Sequence, residues 1–357
     1  MPATIASFKI DYYQYLTPDG KLLGDDPPAL AQDFEQLTRL YRLMVRTRAF
    51  DKKAIALQRT GKLGTYASCL GHEAVHAAMG SAMREEDCLA PMYREYAAQF
   101  HRGVKMSEVL LYWGGDERGN DFSGPAHDFA WCVPIATQCL HAAGAALAFK
   151  LRGEPRVVVT AVGDGGSSKG DFLEAINAAS AFKLPLVLVI VNNQWAISVP
   201  RRKQNSAKTL AQKGIAGGLP AIQVDGNDLI AARWAMEQAI DQARSGHGPT
   251  VIEMITYRLS DHTTADDATR YRDAGEVDSA WQREPIARLR TYLTDQGAWD
   301  EQREHDLQDE ARKEVEAAVE EYLATGKPPL ESMFDYMFAE LPHDLAEQRA
   351  QALEEAK

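Results

Sequence analysis

The chain has 357 residues, of which 45% are hydrophobic and 25% charged, a balance typical of a folded globular protein rather than a disordered one. The net charge is −12, and the 16 acidic and 6 basic residues of 301–357 carry most of it, which leaves no basic face for nucleic acid. The longest apolar run, 184–191, is far shorter than the roughly 20 residues of a transmembrane helix, and residues 1–10 lack the features of a secretory signal. We therefore expect a cytoplasmic protein with neither a membrane nor a nucleic-acid partner.

The predicted elements begin with turn-forming residues over 1–33, which indicate an extended N-terminal arm. Helical spacing of apolar residues follows over 34–59 and 73–83, and a stretch rich in Gly, Asp and Asn over 114–131 predicts a long loop. In the helix predicted over 171–183, Asp171 and Glu174 have the spacing of a capping pair. The remaining predicted elements are strands over 156–162, 186–191, 221–224 and 250–257, a helix over 229–244, and charged helices after residue 285.

Strands that alternate with helices predict an α/β fold, in which a parallel sheet is flanked by helices. The pattern divides the chain into an N-terminal arm over 1–33, an α/β domain over 34–285 and a helical C-terminal extension over 286–357. No internal repeat or low-complexity segment interrupts this order.

Two successive strands each end in a polar motif. Gly163-Asp164-Gly165-Gly166 follows the first, Asn192-Asn193 follows the second, and 26 residues lie between Gly165 and Asn192. Because parallel strands have their carboxyl ends at the same edge of a sheet, we expect Asp164 and Asn193 to converge there. Carboxylate and amide oxygens suit Mg²⁺, and the glycines allow the backbone to approach a phosphate closely. The residues alone therefore predict a site for Mg²⁺ and a diphosphate.

This pairing of motifs resembles the thiamine diphosphate motif. Over about residues 34–348 the sequence also resembles one family, the alpha subunit of the decarboxylating dehydrogenase component of 2-oxo acid dehydrogenase complexes. The resemblance implies a thiamine diphosphate-binding fold. It rests on the following further segments: 163–171, 194–200, 224–228, 256–258 and 262–272.

The resemblance implies roles for individual residues. It implies that Mg²⁺ is bound by the side chains of Asp164 and Asn193 and by the backbone carbonyl of Trp195. An arginine suits the diphosphate because its guanidinium group can donate two hydrogen bonds to phosphate oxygens. The residues implied for the diphosphate and its surroundings are Tyr93, Arg94, Gly165, Gly166, Ser167 and Arg258.

The segment over 133–138 resembles the part of the family that meets the aminopyrimidine ring of the cofactor. Val133 is expected to meet the ring, and Ile135 is expected to support the bent cofactor by packing. Thr137 and Gln138 are candidate ligands for K⁺, which some relatives bind at this segment. Val191 stands where some relatives carry an arginine, so we expect one phosphate contact to be absent or replaced.

Two histidines have places that match the family's active site. His262 matches the active-site histidine, and we expect it to transfer protons, whereas His127 lies where relatives carry a histidine near the cofactor. The loop over 260–273 has almost no apolar side chain to bury, so we expect it to order when the cofactor binds. The other histidines interpreted as structural are His72, His76, His101 and His141. The basic residues interpreted as a mobile, solvated loop are Arg201, Arg202, Lys203, Lys208 and Lys213.

The resemblance implies an oxidoreductase that decarboxylates a 2-oxo acid and transfers the acyl group to the lipoyl group of an acyltransferase component. The glutamate that activates the cofactor belongs in this family to a beta subunit, and nothing after Asp273 resembles a second pyrimidine-binding domain, so an α₂β₂ heterotetramer is implied. Pyruvate is the expected substrate, because 262–272 and 338–342 resemble the pyruvate branch. The alternatives are branched-chain 2-oxo acids, a non-catalytic subunit that holds the cofactor, and a Rossmann dehydrogenase, which would need Gly-x-Gly-x-x-Gly after a strand.

Overall fold

The computed structural model describes residues 2–356, and within them six parallel strands form one sheet in the order β1-β7-β8-β4-β3-β2. Two further strands, β5 and β6, form a small antiparallel hairpin. The strands have the following bounds: β1 Tyr12–Tyr13, β2 Cys88–Ala90, β3 Val158–Gly163, β4 Leu186–Asn192, β5 Trp195–Ala196, β6 Val199–Pro200, β7 Ala221–Asp225 and β8 Thr250–Ile255.

Helices connect these strands and continue beyond the last of them. No helix within residues 2–356 has the length and apolar character needed to cross a membrane. The helices have the following bounds: α1 Phe34–Arg59, α2 Glu73–Ala82, α3 Tyr96–Arg102, α4 Met106–Trp113, α5 Thr137–Arg152, α6 Gly170–Phe182, α7 Arg201–Gln204, α8 Gln212–Ala216, α9 Leu229–Arg244, α10 Ala274–Trp281, α11 Pro285–Asp295, α12 Glu301–Ala324, α13 Ser332–Asp335 and α14 His343–Glu355.

The sheet is covered on both faces, which explains its continuous apolar strands. All seven residues of β4 are buried. Val187 and Val189 pack in one core with α1, α2 and α9, whereas Leu188 and Ile190 pack in another with α5 and α6. Alternate side chains of a strand point to opposite faces, so a strand between two helical layers needs apolar residues at every position. The predicted α/β fold with a parallel sheet between helices is thus confirmed.

The elements with strong periodicity agree with the prediction within a few residues. Helix α1 has the predicted bounds, and α2, α6, α9 and the strands β3, β4, β7 and β8 lie where they were expected. The capping pair at Asp171 and Glu174 is wrong: α6 begins at Gly170, its N-cap residue is Lys169, and no side chain caps it. Both acidic residues therefore lie inside the helix.

The N-terminal arm contributes a strand that the sequence pattern did not predict. β1 pairs in parallel with β7 and forms one edge of the sheet. The carboxylate oxygen Oδ2 of Asp228 accepts hydrogen bonds from the backbone N–H groups of Tyr15 and Leu16, each at 2.6 Å. Leu16 is fully buried as a result. The arm is therefore fixed to the α/β sheet through its backbone.

Candidate active site

The polar residues predicted at the sheet edge follow two neighbouring strands. Strands β3 and β4 pair in parallel, with Gly163 opposite Val191, and Asp164 and Asn193 lie just beyond their carboxyl ends. Both side chains are buried, with 2% of Asp164 and 8% of Asn193 exposed. The topology therefore brings a carboxylate and an amide to the same edge, as the spacing predicted.

Asp164 has few hydrogen-bond donors around its carboxylate. Gln204 donates from Nε2 to its Oδ2 at 2.7 Å, and the hydroxyl of Ser167 donates to its backbone carbonyl at 2.7 Å. Burial raises the pKa of Asp164, because a charged carboxylate is poorly solvated there, and the bond from Gln204 opposes the shift only in part. A cation beside this carboxylate would stabilise its charged form.

Asn193 and Trp195 supply two further oxygens at this edge. The backbone N–H of Trp195 donates to Oδ1 of Asn193 at 3.1 Å, and Nδ2 of Asn193 lies 3.1 Å from Nε2 of His72. The carboxylate, the amide oxygen and the backbone carbonyl of Trp195, which also lies 3.4 Å from Nη1 of Arg258, are hard donors of the kind that Mg²⁺ binds together with phosphate oxygens and water. Within residues 2–356 no group of three or more His, Cys, Asp and Glu side chains is placed to hold a metal.

The glycines after β3 are required by close packing. A Cβ atom on Gly165 would overlap the Cβ of Ala196 in β5, and one on Gly166 would lie 2.7 Å from Cγ2 of Val162 and 3.0 Å from Cγ2 of Ile135. Ile135 is thereby brought against the glycine loop. Glycine is therefore the residue that leaves room for these side chains to pack directly against the backbone of the loop.

Two buried arginines lie beside this edge without a carboxylate partner. Arg94 is 3% exposed and Arg258 is fully buried, and neither forms an ion pair with a carboxylate among the described residues. Arg94 donates to the backbone carbonyls of Ser68 and His262, and Arg258 donates from Nη2 to the carbonyl of Ile197 at 2.8 Å. Buried guanidinium groups that contact only neutral acceptors retain their full positive charge, so the site fits a diphosphate anion.

His262 lies beside both arginines. Its Nδ1 is 3.3 Å from Nη1 of Arg258, and its ring meets the ring of Tyr93 edge-on at a centroid distance of 6.5 Å. Burial, with the charges of Arg94 and Arg258, lowers the pKa of His262 to about 3. Because a guanidinium group can only donate, Nδ1 accepts and the ring hydrogen lies on Nε2. His262 is therefore neutral at pH 7 and presents a hydrogen-bond donor.

The loop over 260–273 is held by polar contacts of its own. Asp266 accepts from the backbone N–H of His262 at 2.9 Å and from the hydroxyl of Tyr271, and Arg272 donates to the backbone carbonyl of Arg258. The carboxylate of Asp261 accepts from the backbone N–H of Ala268 at 2.8 Å. These bonds give the loop a defined path although it buries little apolar surface. Its ordering by the cofactor stays a prediction.

The remaining residues predicted for the site differ in their burial and in their contacts. His127 is exposed and lines a separate cavity of about 670 Å³ with His101 and Arg102. Val133 is exposed on the same segment as Ile135. Gln138 is buried, and its Nε2 donates to the backbone carbonyl of Ala161 at 2.6 Å, whereas Thr137 is half-buried at the start of α5.

Some residues have contacts that the sequence did not predict. His72, interpreted as structural, contacts Asn193 across 121 residues of sequence, a separation at which no local pattern reports a contact. Lys213, interpreted as part of a solvated loop, is half-buried in α8 and donates from Nζ to the backbone carbonyl of Ser167, and burial lowers its pKa to about 8. Arg201 is likewise half-buried and donates to the backbone carbonyls of Asn205 and Ala207. The other basic residues of this run, Arg202, Lys203 and Lys208, are exposed, as expected.

Comparison with known proteins agrees with this geometry. The family model described as "Dehydrogenase E1 component" matches residues 41–331. Proteins named "Pyruvate dehydrogenase E1 component subunit alpha" from Staphylococcus epidermidis and Staphylococcus aureus are 42% identical to this chain over 342 residues, which is 95% of this chain and 92% of each relative. The chain therefore belongs to the dehydrogenase E1 component family.

Proposed function

We propose that this chain is the alpha subunit of a pyruvate dehydrogenase (acetyl-transferring) E1 component, an oxidoreductase that decarboxylates pyruvate and acetylates the lipoyl group of an acyltransferase component. The observation that carries the proposal is the pair of buried, unpaired arginines beside Asp164 and Asn193, in a chain with 42% identity to named subunits of this kind. The relatives named for pyruvate favour this substrate over branched-chain 2-oxo acids, and a decarboxylating enzyme over a non-catalytic holding subunit or a Rossmann dehydrogenase.

Membership of the family implies thiamine diphosphate. When bound, this cofactor supplies the electron sink that decarboxylation of a 2-oxo acid needs. We propose that Asp164, Asn193 and the carbonyl of Trp195 hold Mg²⁺. The buried, unpaired Oε1 of Gln138 supports a K⁺ site with Thr137. The residues proposed for the remainder of the cofactor are Gly165, Gly166, Ser167, Tyr93, Arg94 and Arg258 for the diphosphate, and Val133 and Ile135 for the aminopyrimidine.

The side chains of this site have distinct proposed tasks. Arg94 and Arg258 bind and orient an anion, because their charges are buried and neither forms an ion pair with a carboxylate among the described residues. His262, neutral with its hydrogen on Nε2, donates a hydrogen bond to an oxygen of the substrate and holds its proton there. Its low pKa, which follows first from burial and then from the two arginine charges, makes it a poor proton acceptor. A bound diphosphate would oppose the arginine charges and raise that pKa in part. His127 is proposed to join this site from its exposed loop.

The proposed partners are a beta subunit, in an α₂β₂ heterotetramer, and the lipoyl acyltransferase. Beyond β8 the described chain, to residue 356, contains helices and turns but no further strand that could build a second cofactor-binding sheet. Ile135, which packs against Gly166, and the nearby Val133 in the same segment are 39% and 48% exposed, as expected of residues that a partner covers. We propose the cytoplasm as the location.

The test is co-expression of the chain with a beta-subunit gene from the same organism. Decarboxylation is then measured with pyruvate and with 3-methyl-2-oxobutanoate, and compared with that of the chain alone. The proposal expects activity that needs both subunits and prefers pyruvate. Preference for the branched acid would favour the alternative substrate, and an inactive complex that still binds thiamine diphosphate would favour the holding subunit.

A matched variant tests the site itself. Asp164→Ala is expected to abolish Mg²⁺-dependent binding of thiamine diphosphate, measured by calorimetry in the assembled complex, without changing the circular dichroism spectrum. Asp278→Ala, which removes an exposed carboxylate from α10, is the control and is expected to bind normally. Unchanged cofactor affinity in Asp164→Ala would contradict the proposed metal site.

A further inference from the structure

We propose that His72 is a positioning residue that fixes the amide of Asn193, so that Oδ1 and not Nδ2 faces the metal. This inference rests on the proposed function, because it takes Asn193 as a metal ligand. His72 is 1% exposed and lies at the N-terminal boundary of α2, far from Asn193 in sequence.

The side chain of Asn193 needs such a partner because its two ends have nearly the same shape. The last torsion of an asparagine side chain is broad, so packing alone distinguishes poorly between oxygen and nitrogen. A cation, in contrast, is attracted by the oxygen and repelled by the NH₂ group. The orientation of this single amide therefore decides whether Asn193 can act as a metal ligand.

A chain of three hydrogen bonds determines that orientation. The backbone N–H of Trp195 can only donate, and it lies 3.1 Å from Oδ1 of Asn193, so Oδ1 is the acceptor. Nδ2 of Asn193 then donates to Nε2 of His72 at 3.1 Å. Nδ1 of His72 lies 3.1 Å from the backbone carbonyl of Cys69, which can only accept, so the ring hydrogen is on Nδ1 and the lone pair is on Nε2.

Donors and acceptors alternate along this series of three hydrogen bonds, and a flipped amide would break two of them. The NH₂ group would then face the N–H of Trp195, and Oδ1 would face the lone pair of Nε2. The ring of His72 cannot rotate to relieve this, because it is buried and stacks on the ring of His76 at a centroid distance of 5.6 Å and an interplanar angle of 13°. His72 thus acts on the metal through Asn193 without touching it.

The test compares two substitutions of His72 in the complex with the beta subunit. His72→Gln keeps an acceptor for Nδ2 of Asn193 and a donor for the carbonyl of Cys69, whereas His72→Phe keeps the ring and removes both. The readout is the affinity for Mn²⁺, followed by electron paramagnetic resonance in the presence of thiamine diphosphate. Loss of a hydrogen-bond partner behind a metal ligand typically weakens metal affinity by roughly 10–100-fold, and we expect this loss in His72→Phe and recovery to within a few-fold in His72→Gln.

A purely structural role for His72 would give a different result. The two variants would then have the same metal affinity, and that outcome overturns the proposal. If His72→Phe does not assemble, His72→Leu, which is smaller and also lacks an acceptor, replaces it with the same expected loss.

Asn193→Ala separates this inference from the proposed function. If Asn193→Ala leaves Mn²⁺ affinity unchanged, Asn193 is not a ligand, and the proposed metal site and the role of His72 are both wrong. If Asn193→Ala abolishes binding while His72→Phe does not weaken it, only the role of His72 is wrong. The proposal expects His72→Phe to have little further effect in a chain that already carries Asn193→Ala, since the amide to be oriented is gone.

Discussion

Arg94 donates a hydrogen bond from Nη2 to the backbone carbonyl oxygen of His262 at 3.0 Å, and these residues are 168 positions apart in sequence. The contact joins the segment after β2 to the loop after β8. A single buried cation therefore serves both the proposed diphosphate site and the loop that carries the candidate active-site histidine. An anion that binds Arg94 would act on both at once.

Arg94→Lys is expected to weaken thiamine diphosphate binding although the positive charge remains. Lysine cannot donate from a planar fork, so it cannot contact Ser68, His262 and a phosphate together. A hydrogen bond to a charged group contributes about 1.5–3 kcal/mol, so we expect a loss of affinity of roughly 10–150-fold by calorimetry. Arg84→Lys, at an exposed arginine, is the control. Equal affinity in Arg94→Lys and the control would show that the planar guanidinium group of Arg94 is not needed to bind thiamine diphosphate.

Cleavage of the 260–273 loop by trypsin is expected at Arg270 rather than at Arg272. Arg270 is exposed, whereas the side chain of Arg272 donates to the backbone carbonyls of Arg258 and Leu259. We expect Mg²⁺ with thiamine diphosphate to slow cleavage at Arg270, because a bound anion fixes the side chain of Arg94, which donates a hydrogen bond to the loop. Cleavage at the exposed Lys9 serves as an internal control and keeps its rate. The same rate at Arg270 with and without cofactor would contradict this coupling.

The complex without cofactor is expected to lose stability as the pH falls below about 6.5, in part because of His262. Its folded-state pKa is lowered to about 3, so between pH 6.5 and 3 the unfolded chain binds a proton that the folded chain excludes. His262→Gln removes this difference and is expected to be relatively more stable at pH 5 by on the order of 1 kcal/mol. Urea denaturation at pH 7.5 and pH 5 measures it. If the stability of the variant minus that of the wild type is no greater at pH 5 than at pH 7.5, the pKa shift is contradicted.

Asp164→Asn is expected to stabilise the cofactor-free complex while it weakens metal binding. Burial raises the pKa of Asp164, so the folded state favours the protonated form, and stability decreases as the pH rises from 3.8 through the folded pKa. At pH 7 the wild type carries this penalty and the neutral asparagine does not. Thermal unfolding without cofactor should therefore give a higher midpoint for Asp164→Asn, and Mg²⁺ with thiamine diphosphate should raise the midpoint of the wild type only. A lower midpoint in Asp164→Asn would mean that the bond from Gln204 outweighs the burial of the charge.

The centre of the fold was predictable because its signals are local. Strand β4 is buried on both faces, which requires an unbroken apolar run, and α1 has a long periodic pattern. Strands β1 and β2 have only two and three residues, and their positions depend on partners far along the chain, β7 and β3. Helix α5 is rich in alanine, so its buried and exposed faces differ little in sequence. Such elements are specified by tertiary pairing rather than by pattern.

The candidate site also has features that local sequence predicts and features that depend on tertiary packing. Asp164 and Asn193 follow strands, so topology alone brings them to one edge of the sheet. The contact between His72 and Asn193 depends on where α2 lies, and nothing around His72 in sequence reports it. The low pKa of His262 depends first on its burial and then on two arginines that approach from separate segments. Residue types and spacing predict which groups are available, whereas charge states and orientations follow from the packed structure.

The attachment of the N-terminal arm has a consequence for biosynthesis. Tyr15 bonds to Asp228, which lies 213 residues later, and β1 pairs with β7. A ribosome adds about 5–20 residues per second, so the arm emerges some 10–40 s before its partners exist. During that interval Tyr12, Tyr13 and Leu16 have no sheet to join. Although β1 precedes β7 in the chain, it is therefore among the last strands to pair, and the sheet edge that it covers closes only after β7 has formed.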